Sequence, residues 1–297
     1  MSGAGQEPAF RSGFVVLVGR PNVGKSTLLN SVLGVKVSIT SPRPHTTRRR
    51  VLGVLDGDER QIVFVDTPGI HRPRSALGHR MNEASASAVD DADVAVAVVD
   101  ARAPIGPGDR RALRRAREAA ARAVVVVNKI DGIARRRVVA QLAAASALGE
   151  GGADGEGIEC FPVSARTGAG VDELVRALSA SLPEGPRYFP PGMVTDVPEA
   201  FHVAELVREQ LLVAVADELP HAIACRVSAW EWPYIRCEIL VERPSQKPIV
   251  IGRGGQVLKT VGTAVRAQLP PGAYLDLFVK VEPDWQNRPV EIERLGY

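Results

Sequence analysis

The stretch GRPNVGKSTLLNSVLG, Gly19 to Gly34, decides how this chain is read. It follows the apolar run FVVLV and sets Gly24-Lys25-Ser26 four residues after Gly19. A loop of this spacing wraps phosphates: glycines clear side chains from the approach, backbone N–H groups converge, and the helix that follows offers its positive N-terminus. Lys25 is suited to bridge β- and γ-phosphates, and Ser26 to ligate Mg²⁺. The candidate nucleotide contacts are therefore Gly19, Arg20, Pro21, Asn22, Val23, Gly24, Lys25, Ser26 and Thr27.

Outward from this loop, further apolar runs (QIVFVD, VAVAVVD, AVVVVNK, IECFPVSA) alternate with helix-like segments. Unbroken runs of β-branched residues suit strands covered on both faces, which predicts an α/β domain with a mostly parallel sheet. Ligands of such sheets sit beyond the carboxyl ends of the strands. These runs finish at Gly19, Asp66, Asp100, Asn128-Lys129 and Ser164.

Four of those ends carry chemistry. In DTPG, Asp66 to Gly69 with Thr67 and Pro68 between, the carboxylate is suited to hold Mg²⁺ through water and the Gly69 amide to reach a γ-phosphate. In NKID, the Asp131 carboxylate would accept from N1–H and the 2-amino group of guanine, which selects GTP over ATP. Lys129 would lay its stem along the base, Asn128 would tie this loop to the phosphate loop, and the Ala165 amide after Ser164 would meet the guanine O6. Thr46 and Thr47 in PHTTRRR are both candidates for the switch threonine that closes over Mg²⁺, and the sequence does not choose between them. The run Arg48-Arg49-Arg50 reads as either a solvated edge or an RNA contact, and the arginines of RRALRRAREAAAR as a wet helix face. Ile70 follows Gly69 where Ras-like GTPases carry the glutamine that orients the attacking water, so slow intrinsic turnover is expected. Asn22 is then a candidate to hold a monovalent cation, K⁺, beside the phosphates.

Composition leaves room for a second domain: 297 residues, 45% hydrophobic and 24% charged. Cys160, Cys225 and Cys237 form no CxxC pair and read as buried thiols of a reducing compartment. No apolar run approaches the length of a spanning helix, and MSGAGQEPAFRSG has no signal-peptide core, so a soluble cytoplasmic protein is expected with residues 1–12 disordered. The domain of the phosphate loop is expected over 13–182. A proline-rich linker, PEGPRYFPPGMVTDVPE, is expected over 183–200 and a second domain over 201–297. The glycine-rich GEGGADGEG reads as a loop.

The second domain reads as helix, strand, strand, glycine turn with helix, strand. From Asp196 onward there are 11 Lys and Arg against 14 Asp and Glu, so a broadly basic surface is excluded. Yet no acidic residue occurs from Arg243 through Leu275, where Arg243, Lys247, Arg253, Lys259 and Arg266 fall. There the turn GRGG, Gly252-Arg253-Gly254-Gly255, follows an apolar run, IVI, that reads as a strand ending at Ile251. A GxxG turn opening a helix clamps about four nucleotides of single-stranded RNA by close backbone approach.

With these residues in view the chain resembles the Era family of bacterial GTPases, from about Phe14 to Tyr297. The carriers are GRPNVGKST, ITSPRPHTTR, DTPGIH, NKID, VSA, the linker, ELPHAIACRV, IVIGRGGQVLKTVG and the terminal RLGY. The resemblance implies a P-loop Ras-like domain followed by an α+β type II KH domain. It also implies binding near the 3′ end of 16S ribosomal RNA, maturation of the 30S subunit, a monomer, and occasional association with the inner face of the membrane. A residue matching Asn22, together with a hydrophobic Ile70, implies cation-assisted hydrolysis. Gln210 stands where the family pattern suggests a lysine, and the tail EPDWQNRPVEIE is more acidic than expected.

Overall fold

A computed structural model describes residues 10–43, 46–69, 75–90, 92–148, 158–215 and 222–297. The chain divides into two compact units. The first comprises Met1–Ser38, Arg50–His71 and Glu83–Asp196; the second comprises Ile39–Arg49, Arg72–Asn82 and Val197–Tyr297.

The first unit is built on strands β1 (Arg11–Val18), β2 (Val51–Asp56), β3 (Arg60–Asp66), β4 (Val94–Asp100), β5 (Arg122–Asn128) and β6 (Glu159–Val163), in the order β2-β3-β1-β4-β5-β6. All neighbours run parallel except the β2–β3 hairpin. The valine runs are interior on both faces: Val15 to Leu17, Val94 to Val98 and Val124 to Val127 are all essentially without exposed surface. Helices α1 (Lys25–Leu33), α2 (Ala76–Asp90), α3 (Pro107–Ala119), α4 (Arg135–Ala147) and α5 (Val171–Ser181) complete the alternation, with part of α2 counted in the second unit. The apolar runs become β1, β3, β4, β5 and β6. The antiparallel β2 is an addition, since VLGVLD is broken by glycine and stands out less.

Two expectations change here. Residues 11 and 12 are ordered at the start of β1: Ser12 is fully buried, its N–H bonds Pro183 O at 3.1 Å and its hydroxyl Pro186 O at 2.6 Å. Residues 1–9 lie outside those described. The same bonds show that the proline-rich segment, expected as a linker, is strapped along the first unit as far as Asp196. The carboxamide of buried Gln61 accepts from the N–H groups of Tyr188 and Phe189 and donates to Phe189 O at 2.9 Å. Val54 N–H bonds Val194 O at 2.8 Å, and Thr195 Oγ1 bonds Leu52 O at 2.6 Å. Prolines donate nothing, so the segment is held through its carbonyls and its neighbours' amides.

The second unit has α6 (Glu199–Ala214), β7 (Ala224–Glu231), β8 (Tyr234–Val241), α7 (Lys247–Ile251), α8 (Gln256–Arg266), β9 (Tyr274–Val281) and α9 (Pro289–Arg294). Its sheet runs β7-β8-β9, antiparallel then parallel. Cys225, Ile235, Cys237, Ile239, Leu275 and Val279 project to one face and pack with Val203, Val207 and Leu211 of α6 and Val261 and Val265 of α8. The run IVI is the end of a short helix rather than a strand. Pro248 at its first turn and Gly252 at its end (φ 76°) bracket a single turn, with Val250 buried and Ile249 exposed, and a run this short has no period to read.

The segment Ile39–Arg49 packs into this unit, and Arg48 corrects both readings of the basic run. It is only 4% exposed, donates to Ile223 O at 2.8 Å, and lies 5.5 Å from the ring centroids of Trp285 and Tyr297. Arg49 is half-buried and lies over Phe201 at 4.6 Å, and Arg50 is exposed. Beside Arg48, fully buried Arg208 bonds Glu205 through Nε at 2.7 Å and donates to the Thr46 carbonyl, while the Tyr297 hydroxyl bonds Glu205 Oε1 at 3.2 Å. Burial opposes the charge of Arg208, but Glu205 outweighs it and holds the guanidinium more basic than usual. Among the described residues, no helix is long and apolar enough to cross a membrane.

Candidate nucleotide and RNA sites

The phosphate loop leaves β1 at Gly19 and turns through Asn22 (φ 63°) and Gly24 (φ 101°) into α1. Asparagine tolerates the left-handed region better than most side chains, and at φ 101° glycine is required. Lys25 is 6% exposed, and its ammonium caps the loop's own carbonyls, Gly19 O at 3.2 Å and Arg20 O at 3.4 Å. Burial lowers its pKa, and Asp66 offsets part of that. A phosphate would supply the counter-charge this position lacks. Val23 is buried, Pro21 lies against Gly69, and the Arg20 guanidinium is drawn to Asp109 at 2.7 Å.

Asp66, at the end of β3, is fully buried and accepts from Ser26 Oγ at 2.6 Å and from Ser38 Oγ at 3.0 Å. Two hydroxyls converging on a buried carboxylate make a compact set of hard oxygen donors, which fits Mg²⁺. Ser38 had no sequence signal: it is a lone serine in VKVSIT, carried to Asp66 by a turn in which the Asn30 carboxamide accepts from the N–H groups of Val37 and Ser38 at 3.0 Å. Thr67 bonds Leu17 O at 2.9 Å and is thereby structural. Thr46 Oγ1 bonds Arg43 O at 2.7 Å, and both Thr46 and Thr47 belong to the segment counted in the second unit. Ile70 lies outside the described residues.

The loops after β5 and β6 meet the phosphate loop through Asn128. Its Nδ2 donates to Val23 O at 2.9 Å and its Oδ1 accepts from Ala165 N–H at 3.0 Å, so one carboxamide joins three loops. Lys129, at φ 66°, bonds Asn22 O and pairs with Asp100 at 2.7 Å. Asp131 accepts from Ser164 Oγ at 2.7 Å on one oxygen, and on the other from Arg166 at 2.6 Å and Arg102 at 3.0 Å. The Ser164 bond first, then Arg166 and Arg102, hold its carboxyl below the usual range, against some desolvation. The same three neighbours thus favour the ionised form of this carboxylate. Arg102 and Arg166 were not singled out in the sequence. Arg166 is adjacent to Ala165, whereas Arg102 is brought in by the β4 end.

In the second unit the GRGG turn joins α7 to α8. Gly252, Gly254 and Gly255 have φ of 76°, 59° and 78°. A Cβ at Gly252 would lie 2.8 Å from Val257 N, while Gly254 and Gly255 face open space. Arg253 and Lys259 are exposed, Ile251 and Lys247 half-buried. A bare turn of open glycines beside exposed cations allows a nucleic-acid backbone to approach closely.

Comparison with known proteins bears on both units. Residues 14–129 match the family described as 50S ribosome-binding GTPase, and residues 218–286 match the KH domain family. GTPase Era of Mycobacterium avium (strain 104) is 47% identical over 97% of this chain and 99% of its own. The chain belongs to the Era family of GTPases. GTPase Era of Mycobacterium tuberculosis (strain H37Rv) is likewise 47% identical over 97% of this chain. A crystal structure of Era in complex with MgGDPNP and nucleotides 1506–1542 of 16S ribosomal RNA aligns over 97% of this chain and 99% of that one, with a TM-score of 0.89 and 39% identity. Era of Aquifex aeolicus in a variant form bound to GDP·AlF₄⁻ aligns equally well. The Era-family fold, a P-loop α/β GTPase domain followed by a KH domain, is therefore the fold of this chain.

Proposed function

We propose that the chain hydrolyses GTP with Mg²⁺ and binds 16S ribosomal RNA near its 3′ end, assisting assembly and maturation of the 30S subunit. The observation that carries this reading is the pairing, in one chain, of a strand-end carboxylate, Asp131, held by Ser164, Arg166 and Arg102, with an open GxxG turn. The complex of Era with MgGDPNP and 16S RNA, alike over nearly the full length, supports it.

Each group then has a task. Lys25 exchanges the carbonyls of Gly19 and Arg20 for phosphate oxygens, stabilising charge as it moves to the β–γ bridge. Ser26 and Asp66 would hold Mg²⁺, which when bound would neutralise charge on the phosphates, and Thr46 and Thr47 remain the two switch candidates. Gly69 would offer its amide to the γ-phosphate, Asn22 would hold K⁺, and Asp131 would read the base together with the Ala165 N–H, which here bonds Asn128 Oδ1. Lys247, Ile251, the turn Gly252 to Gly255, and Lys259 engage the RNA. Thr46 and Thr47 lie on the segment Ile39–Arg49, which belongs to the second unit. On this reading the protein acts as a cytoplasmic monomer, with only occasional peripheral association at the inner face of the membrane.

Multiple-turnover GTP hydrolysis, measured with and without a 16S 3′-end oligonucleotide in potassium buffer, tests the reading. Slow turnover that rises with RNA supports it. Absence of turnover under both conditions leaves GTP as a structural ligand only.

A further inference from the structure

Along β9, Leu275, Leu277 and Val279 face the core of the second unit, so Tyr274, Asp276 and Phe278 stand on the opposite face of the sheet. Where it carries these residues that face is aromatic and open, Tyr274 being 57% exposed and Phe278 44%, while its other end, at Ala224 and Leu240, is buried against Trp285 and Tyr297. Tyr274 stacks on its β8 neighbour Tyr234, with centroids 5.7 Å apart and planes at 17°. The Tyr234 hydroxyl bonds Asp276 at 2.9 Å, which fixes that ring and with it the stack. Phe278 has Arg236 5.4 Å and Lys247 5.6 Å from its centroid. Arg236 also pairs with Asp276 at 3.2 Å, so the one carboxylate between the two aromatic stations is compensated.

Position and charge both point to one occupant. Lys247 begins α7, the turn of helix that leads directly into Gly252, so the cation beside Phe278 and the GxxG turn share one short element. Four residues of strand separate Tyr274 from Phe278 by about 13 Å, room for more than a single stacked base. Exposed rings on a sheet, flanked by an arginine plane and an ammonium, are what unpaired bases stack on. A protein-docking patch would be expected to be contiguous and apolar, whereas here the rings are interrupted by the charged groups of Arg236, Asp276 and Lys247.

We infer that the exposed end of the outer face of the β7-β8-β9 sheet is a base-stacking platform, with Tyr274 and Phe278 as its two stations, for single-stranded RNA that runs on from the GxxG turn. This rests on the RNA-binding reading above and extends it beyond the four nucleotides of the clamp. Because Arg236 and Asp276 neutralise each other, the contribution of the rings comes from stacking and depends little on salt, unlike phosphate contacts made by Arg253 and Lys259.

The test uses the full chain and two unstructured oligoribonucleotides from the 16S 3′ end: a four-nucleotide segment that fills only the clamp, and a twelve-nucleotide segment that contains it. Wild type should bind the longer one at least tenfold more tightly. Tyr274→Ala with Phe278→Ala should remove that advantage, roughly tenfold per station. It should leave four-nucleotide binding and the salt slope for the longer RNA unchanged, and Tyr274→Phe should retain full affinity. Gly255→Asp should weaken both oligonucleotides. If the double variant binds the longer RNA as wild type does, or if wild type shows no length advantage, the platform is not an RNA surface. Equal loss of both oligonucleotides in the double variant and in each single variant would make the rings structural and also overturn it. If neither oligonucleotide binds wild type, the clamp reading itself fails.

Discussion

Gly24 and Asn128 are packed so closely that a Cβ on the glycine would lie 2.3 Å from the Asn128 carboxamide nitrogen. The phosphate loop and the base-reading loop therefore meet through a residue that has no side chain. Gly24→Ala adds this overlap to the strain of an alanine at φ 101°, about 1–2 kcal/mol from the backbone alone. Nucleotide affinity should fall tenfold or more, read by titration with a fluorescent GTP analogue. Unchanged affinity would mean the two loops are not coupled through this contact.

Asp131→Asn should move preference from guanine toward xanthine nucleotides, because an amide presents a donor where N1–H of guanine needs an acceptor. Loss of bonds to a charged acceptor predicts a drop in GTP affinity of roughly ten- to a hundredfold. Competition between GTP and XTP measures the exchange. A variant that still prefers GTP would remove Asp131 from base reading.

Hydrolysis should be faster in potassium than in sodium at equal ionic strength, and Asn22→Gly should flatten the difference. Glycine is the informative replacement, since it keeps φ near 63° without the steric penalty alanine would add. Equal rates in the two salts for wild type would exclude a cation role for Asn22.

Arg208→Met should destabilise the second unit by about 3–5 kcal/mol, because it leaves the buried Glu205 carboxylate without its cation. Adding Glu205→Leu should recover part of the loss. Trp230, Trp232 and Trp285 are the chain's three tryptophans and all lie in this unit, so intrinsic fluorescence in urea follows it selectively. A midpoint that does not move in the single variant would show that the pair is replaceable.

The first unit was legible because its cues are local. Unbroken valine runs ending in Gly19, Asp66, Asn128 and Ser164 name the strands and put the chemistry at their carboxyl ends. What could not be read depends on partners far along the chain. Arg48 sits in a run of three arginines that looks solvated, and its burial is set by Trp285 and Tyr297, more than 200 residues later. Ser38 and Arg102 become site neighbours only through turns that carry no motif. The helix Lys247–Ile251 was missed for another reason: a single turn has too few residues for hydrophobic period to distinguish helix from strand.

The two units are interlaced in sequence, and this limits how the chain can be divided. Ile39 helps fill the core beneath the three-stranded sheet, and Leu77 and Met81 pack with Trp285 and Tyr297. Scission after Asp196 would cut the backbone once yet part both segments from their packing. The front fragment would carry three orphaned apolar side chains into water, and the back fragment would be left with the vacancies they had filled. An isolated GTPase half made this way should be prone to self-association, and the boundary of independent folding does not coincide with any single peptide bond.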